Sequence, residues 1–418
     1  MQDNDPTREL PRPQDPTLFT RIFINRNVPL LALAQALSNT LQTMGLTTTP
    51  IAAFAMLGPD KALATLPLVF THLGLMSGTV PASRLMDRIG RRAGFSLGSV
   101  IGIIAGAVGV TAVFQQSFWM LCLTAYLQGI SISFAWYYRF AAADAAPPSL
   151  RARAISLVLF GGILSGLLGA ESAKWAKDLL APVTFAGVYV MFGVVCILNL
   201  GLLAFLDIPK PVKHVSDVPA RPMLEIMKQP AFIVAVLSSM MGYGVMTTLM
   251  SATPLAMMGC GFTFEEGATV IQFHSISMFA PALFTGHLIV RYGVLTIIGI
   301  GAAILIGCVL VAMSGISFQH FLLANVLVGI GWNFCFIGGS TLLTTVYRPS
   351  ERAKTQAAHD LLEFTTTAIT AGLAGVILAW AGWSYVNLLA LPMIATVLIA
   401  ACWLYMRQGH VELIPMKS

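Results

Sequence analysis

Charge is what this sequence has least of. Only 10% of its 418 residues are Asp, Glu, Lys or Arg, and 56% are hydrophobic, whereas a soluble domain carries about 25% charged residues. That leaves too little polar surface to face water and excludes an ordinary soluble fold. Six cysteines are present, five of them inside apolar runs and none in a CxxC pair (Cys122, Cys196, Cys260, Cys308, Cys335, Cys402). A disulfide framework and a zinc knuckle are thereby excluded. Residues 1–20 are polar and Pro-rich with no apolar core, so no cleavable signal peptide is expected, and neither end shows a lipidation motif. No nucleophile–base pair, phosphate loop or redox-cofactor motif occurs. Neither an enzyme nor a prosthetic group is therefore expected.

What the chain does have is long apolar runs, and its mean hydropathy is +0.79. Runs of about 20 residues suffice to cross a bilayer as helices. Continuous rather than alternating hydrophobicity argues for helices over a barrel. Twelve spans are expected, at about 27–56, 61–86, 93–115, 117–146, 152–176, 183–207, 229–258, 263–290, 293–315, 317–346, 353–380 and 383–407. With both termini inside, 20 of the 24 Lys and Arg residues lie on the cytoplasmic side. Lys61, Lys174 and Lys177 fall outside, and Arg139 falls within the fourth span. The positive-inside rule then sets N-in, C-in. The basic balance is a topology signal rather than a sign of nucleic-acid binding.

The chain divides into a cytoplasmic tail (1–26), a six-span half (27–207), a polar linker (208–228), a second six-span half (229–407) and a cytoplasmic tail (408–418). The halves repeat each other. "PSLRARA" at 148–154 returns as "PSERAKT" at 349–355, and "SRLMDRIGRR" at 83–92 returns, worn down, as "GHLIVRYG" at 286–293. Repeats of this kind are common in transporters.

These features resemble the major facilitator superfamily over essentially the whole chain. Asp87, Arg88, Gly90, Arg91 and Arg92 match its loop signature between the second and third helices, with Ser83 where the leading glycine is usual. The second copy keeps Gly286, Arg291 and Gly293 but has Val290 at the acidic position. The resemblance implies an all-α membrane fold of two pseudo-symmetric six-helix halves. It also implies a conformational latch at Asp87, Arg88, Gly90, Arg91 and Arg92, and Asp144 near the cytoplasmic end of the fourth span is a further candidate member. The alternative is that these charges only enforce topology.

Donor atoms recur in register. Met246 and Met250 in span seven, and His274 and Met278 in span eight, are each four apart, so each pair shares a helix face. An offset of about 202 maps His72 onto His274, Met76 onto Met278 and Met44 onto Met246, while Met250 meets Thr48. Three thioethers and one imidazole suit Cu(I) better than ions that want oxygen. This MxxxM…HxxxM arrangement resembles the bacterial CcoA-type copper importers, which feed copper to assembly of cbb3-type cytochrome c oxidase. The resemblance implies Met246, Met250, His274 and Met278 as the copper-binding residues. The repeat suggests Met44, His72 and Met76 as a pseudo-symmetric set.

Other residues carry open alternatives. Cys260, with Met257 and Met258, is either a copper-capture site at the outer mouth or an apolar helix end. Glu265 and Glu266 suit the N-terminus of the eighth span. Arg139 either binds an anion in the central cavity, or snorkels or pairs with Asp144. His359, Asp360 and Glu363 either serve coupling or are solvated and capping groups. "GGILSGLLGA" in span five permits close helix packing.

The leading expectation is a monomeric, alternating-access copper transporter of the bacterial cytoplasmic membrane. It would import Cu(I) as substrate and touch only lipid, the ion and cytoplasmic copper-handling proteins. One alternative is a proton-coupled carrier of a small organic metabolite or drug, using Arg139, Trp136, Tyr137, Tyr138 and Trp332 in its cavity. The other is a non-transporting copper sensor or assembly partner.

Overall fold

The computed structural model describes residues 26–58, 61–146, 151–208 and 220–408. The expected tails, most of the linker and part of "PSLRARA" therefore lie outside the described residues. Every regular element among those described is helical. In the first half these are α1 (Asn27–Met56), a 3-10 turn (Lys61–Thr65) leading into α2 (Leu66–Ile89), α3 (Arg91–Phe114), α4 (Phe118–Ala135), α5 (Tyr138–Ala145), α6 (Arg151–Ala176) and α7 (Ala186–Leu203). The second half begins with the short α8 (Met223–Met227). It continues with α9 (Pro230–Gly259), α10 (Phe264–Phe279), α11 (Ala282–Tyr292), α12 (Val294–Ser314), α13 (Phe318–Leu343), α14 (Arg352–Ala381) and α15 (Trp383–Gln408).

Nine stretches among the described residues are long and apolar enough to cross a membrane, and α10 with α11 makes a tenth as a bent pair. The more polar α1 and α6 run 30 and 26 residues. At about 1.5 Å per residue both are long enough to span as well. Two expected single helices are broken. Span eight bends by 41° between α10 and α11, where Pro281 lacks the N–H a continuing helix needs and crowds the preceding turn. Span four breaks at Trp136–Tyr137, where Tyr137 donates to the Phe134 carbonyl three residues back and its Oη donates to the Thr79 carbonyl.

The internal repeat is a repeat of packing. In the first half α1 packs on α6, α2 on α4, and α3 on α4 and α7. In the second half α9 packs on α14, α10 on α13, and α12 on α13 and α15. The signature glycines follow the same logic. Gly90 and Gly293 join α2 to α3 and α11 to α12 with φ of 90° and 86° and ψ of 158° and 149°, a region open in practice only to glycine.

The halves meet along two seams, α6 against α10 and α2 against α14. The small residues of "GGILSGLLGA" serve the first seam: a Cβ on Gly162 would come within 2.6 Å of the Phe279 ring, and one on Gly166 within 3.0 Å of Ser275. At one end of this seam Lys177 pairs with Glu265 across the halves, and Lys174 donates to Thr269 at 3.0 Å. Glu266 caps α10 in a reciprocal box with Thr263. Of the two expected caps, then, one caps and the other ties the halves together. The opposite end holds a vestibule of about 650 Å³ between the halves.

Candidate functional site

A cavity of about 110 Å³ lies where the halves meet, walled by α1, α2, α4 and α6 from one side and α9 and α10 from the other. Two crossings of bare backbone fix its histidine-bearing helices. A Cβ on Gly129 would lie 2.0 Å from the Thr71 carbonyl oxygen, so α2 rides directly on α4 beside His72. A Cβ on Gly329 would lie 2.1 Å from Ser277 Oγ and 2.9 Å from the His274 carbonyl, so α10 rides on α13 beside His274.

Both histidines are locked in one tautomer. His72 Nδ1 lies 2.8 Å from the Leu68 carbonyl and His274 Nδ1 lies 2.9 Å from the Asn325 carbonyl. A carbonyl only accepts, so Nδ1 carries the proton in each ring and Nε2 keeps its lone pair. Asn325 is itself held by bonds to Phe321 and Thr253. His274 is 1% exposed and its Nε2 has no protein partner, so the ring offers a buried, oriented acceptor.

The rest of the lining is neutral. Asn39, Gln42, Thr43, Thr71, Gln128 and Ser165 come from the first half, and Thr247, Ser251 and Ser275 from the second. No Asp, Glu, Lys or Arg is among the lining residues. Tyr243 and Phe279 supply aromatic wall. Tyr243 is braced edge-on by Trp332 at 5.0 Å, and Trp332 stacks on Phe336 at 4.9 Å.

Met246, Met250, His274 and Met278 all line this cavity, joined by His72 from the first half. Met44 and Met76 do not: Met44 is fully buried in the packing of the first half, and Met76 packs by Leu75, Ile132 and Phe364. Among the described residues no group of three or more His, Cys, Asp or Glu could hold a metal, so any metal here would depend on the thioethers. At the outer mouth Cys260 is exposed, while Met257 is buried against Val270 and Phe321.

Arg139 lies outside the central cavity and does not pair with Asp144, which leaves the snorkelling alternative. It lines the vestibule, and lies over the rings of Trp136 (4.9 Å) and Phe140 (4.8 Å), a cation–π arrangement. Asp144 is taken by Arg91. The expected aromatic cavity groups are displaced as well. Trp136 and Tyr137 line the vestibule, Tyr138 is buried against Phe95 at 4.7 Å, and Trp332 stands behind Tyr243. Tyr243 was legible in principle, because it precedes Met246 by three and Met250 by seven and so shares their helix face.

Of the residues expected to form a latch, Asp87, Arg91 and Asp144 line the vestibule. Arg91 pairs with Asp144 inside the first half, and Arg88 and Arg92 are exposed. The Arg91–Asp144 ion pair ties α3 to α5 rather than half to half. The second half carries a tie that the sequence reading missed. Arg221 Nε and Nη2 grip the fully buried carboxylate of Glu351 at 2.8 and 2.7 Å, and the Arg221 and Arg348 N–H groups donate to it at 2.8 and 2.9 Å. These bonds, those from Arg221 foremost, hold the Glu351 carboxyl well below the usual carboxylate range and raise the guanidinium. The one sequence hint was Glu351 standing where the first repeat has Leu150.

Two helical halves, a neutral cavity on the seam between them, one end tied by Lys177 and Glu265 and a vestibule at the other are the architecture of a membrane carrier. The chain belongs to the Major Facilitator Superfamily, whose model matches residues 31–338 and 282–413. It is 37% identical over 382 residues to Riboflavin transporter RfnT of Brucella anthropi, covering 90% of this chain and 94% of the relative. Two Uncharacterized MFS-type transporters of Bacillus subtilis also match: YdeG at 29% over 391 residues (89% of each chain) and YddS at 28% over 384 residues (87% of each). The superfamily reading thus stands. The copper-importer resemblance gains no support from these relatives and rests on its Met and His spacing alone.

Proposed function

We propose that this protein carries riboflavin or a close flavin analogue across the cytoplasmic membrane, inward, with both termini in the cytoplasm. The observation that carries the reading is the neutral, hydrogen-bonding, aromatic-walled lining of the central cavity. Riboflavin is uncharged at neutral pH. It is flat and apolar on its ring faces, has an imide N–H at one edge, and bears a chain of hydroxyls. Tyr243 and Phe279 suit the ring faces, the Asn, Gln, Thr and Ser groups suit the hydroxyls, and the His274 lone pair suits the imide N–H. The full-length relation to a riboflavin transporter supports the same cargo.

At about 110 Å³ the cavity is smaller than the ~300–1,000 Å³ typical of small-molecule sites. Loading therefore requires it to widen toward the vestibule, past the contact of Trp136 and Phe364 at 5.7 Å. The test is uptake of labelled riboflavin by a riboflavin-requiring bacterial strain without its own transporter. Growth and saturable uptake on expression support the reading, and neither, with the protein present in the membrane, overturns it.

One observation favours a second reading, copper transport: Met246, Met250, Met278 and His274 do share one cavity. The His274 lone pair serves either cargo. Cellular copper accumulation in the same strain separates the two.

A further inference from the structure

A second set of buried polar groups lies on α14, outside the cargo cavity. His359 and Glu363 are one helical turn apart, and their side chains are 5% and 2% exposed. His359 Nδ1 is 3.1 Å from Asp360 Oδ1, and His359 Nε2 is 3.9 Å from Glu363 Oε2. That second distance is about 1 Å longer than the ~2.9 Å of an N–H···O bond, and neither His359 Nε2 nor Glu363 Oε2 has another protein partner. Two facing, unpartnered titratable atoms within a membrane are costly as structure and are found where protons or ions move.

The placement gives the pair one outlet. Asp360 lines the vestibule, and Tyr243, which lines the cargo cavity, is near enough to Glu363 and Asp360 to feel their charge. We propose that His359 and Glu363, with Asp360 at the water-facing end, form the proton-binding site through which transport is coupled to a pH gradient. With the imidazole in its Nε2–H tautomer, a proton that Asp360 takes from vestibule water passes to Nδ1 as Nε2–H gives its proton to Glu363 Oε2, leaving a neutral ring with Nδ1–H on Asp360. The next residue, Phe364, makes the contact with Trp136 that separates cavity from vestibule, so the charge state of Glu363 bears on the helix that carries the barrier.

The other charged and titratable groups nearby come from every element packed on α14. Arg139 from α5 faces both His359 and Glu363, and Tyr137 faces Asp360. α2 carries His72, Arg84, Asp87 and Arg88, α9 only Tyr243, and α8 Glu225. α15 contributes Tyr385, Tyr405, Arg407 and the exposed Cys402. The preceding turns bring Lys61 and the Arg221-paired Glu351, and α14 itself carries Arg352 and Lys354.

Purified protein in liposomes tests this with riboflavin as cargo. The wild type should accumulate riboflavin when a pH difference is imposed and lose the accumulation with a protonophore. Glu363→Gln should lose gradient-driven accumulation but keep riboflavin exchange, and His359→Asn should slow the driven mode. Infrared spectra of cargo-free protein should show a carboxyl band that titrates in the wild type and in Glu171→Gln, and is missing in Glu363→Gln. Accumulation indifferent to the gradient, or a Glu363→Gln protein with wild-type accumulation and an unchanged band, overturns the proposal. If riboflavin moves in neither mode the cargo reading fails, and the infrared arm still decides the proton site.

Discussion

Replacing His274 by Ala removes a buried acceptor of the cavity whose direction is fixed. The Asn325 carbonyl sets the tautomer and leaves Nε2 free. A cargo N–H that met Nε2 is then buried without a partner, which costs about 1–3 kcal/mol, or about 5- to 150-fold in Kd. The Asn325 carbonyl also loses its donor, so part of the effect falls on stability, and thermal unfolding must be measured alongside. A ligand-side partner isolates the bond. Riboflavin methylated at the imide nitrogen has no N–H to give, so it should bind the wild type as weakly as riboflavin binds His274→Ala. Combining the two changes should add little, because both remove one interaction. Quenching of flavin fluorescence on binding to purified protein reads all four combinations. Riboflavin bound to His274→Ala within twofold of wild type, or full additivity of variant and analogue, would refute the assignment.

Three further outcomes follow from other parts of the structure. Met246→Leu with Met278→Leu roughly conserves volume, at a cost usually under ~1.5 kcal/mol each, so riboflavin uptake should persist; copper accumulation lost in the same cells would instead favour the metal. Lys177→Glu should loosen its end of the seam, and adding Glu265→Lys should restore it; for so exposed a pair the shift read by spin-label distances across that end should stay within about fivefold. Glu351 has its folded pKa lowered from 4.5, so its contribution is complete above that value and is lost as pH falls below it. Glu351→Gln should therefore weaken the protein near neutrality and flatten the acid side of its thermal stability profile.

The membrane class, the helix count and the repeat were legible because lipid permits few solutions and hydropathy reports them directly. Gly90 and Gly293 were legible as a motif, and their backbone angles now give the reason. The breaks at Trp136–Tyr137 and Pro281 were not read, although Pro281 was a signal in plain sight. The cavity set was half legible. A helical period of 3.6 correctly gathered Met246, Met250, His274 and Met278, and missed Tyr243 on the same face. The repeat offset misled at Met44 and Met76. Pseudo-symmetry maps helix onto helix, but which face a helix turns inward depends on its neighbours, and α1 buries Met44 against α7 and its surroundings. Of the alternatives for Arg139, the break at Trp136–Tyr137 that redirects α5 goes against the central cavity.

The same cavity admits two cargo readings because its key atom is indifferent between them: an imidazole lone pair accepts from an N–H or binds a soft cation. What separates the readings is the company that lone pair keeps. A thioether site needs sulfur converging on one point, whereas a flavin site needs flat wall, spread hydrogen-bonding groups and a way to widen. The structure supplies braced aromatic wall at Tyr243 and Phe279 and neutral polar groups on both halves. The floor is thin, since Trp136 and Phe364 meet across the halves at 5.7 Å with a tilt of 59°. Such a ring pair holds by about 0.5–1.5 kcal/mol beyond its burial, which is small against what cargo binding can provide. A barrier that weak, directly above a vestibule of about 650 Å³, suits release of a bulky cargo inward. A single ion would need no such widening, and that difference is why the neutral, expandable site argues for the larger molecule.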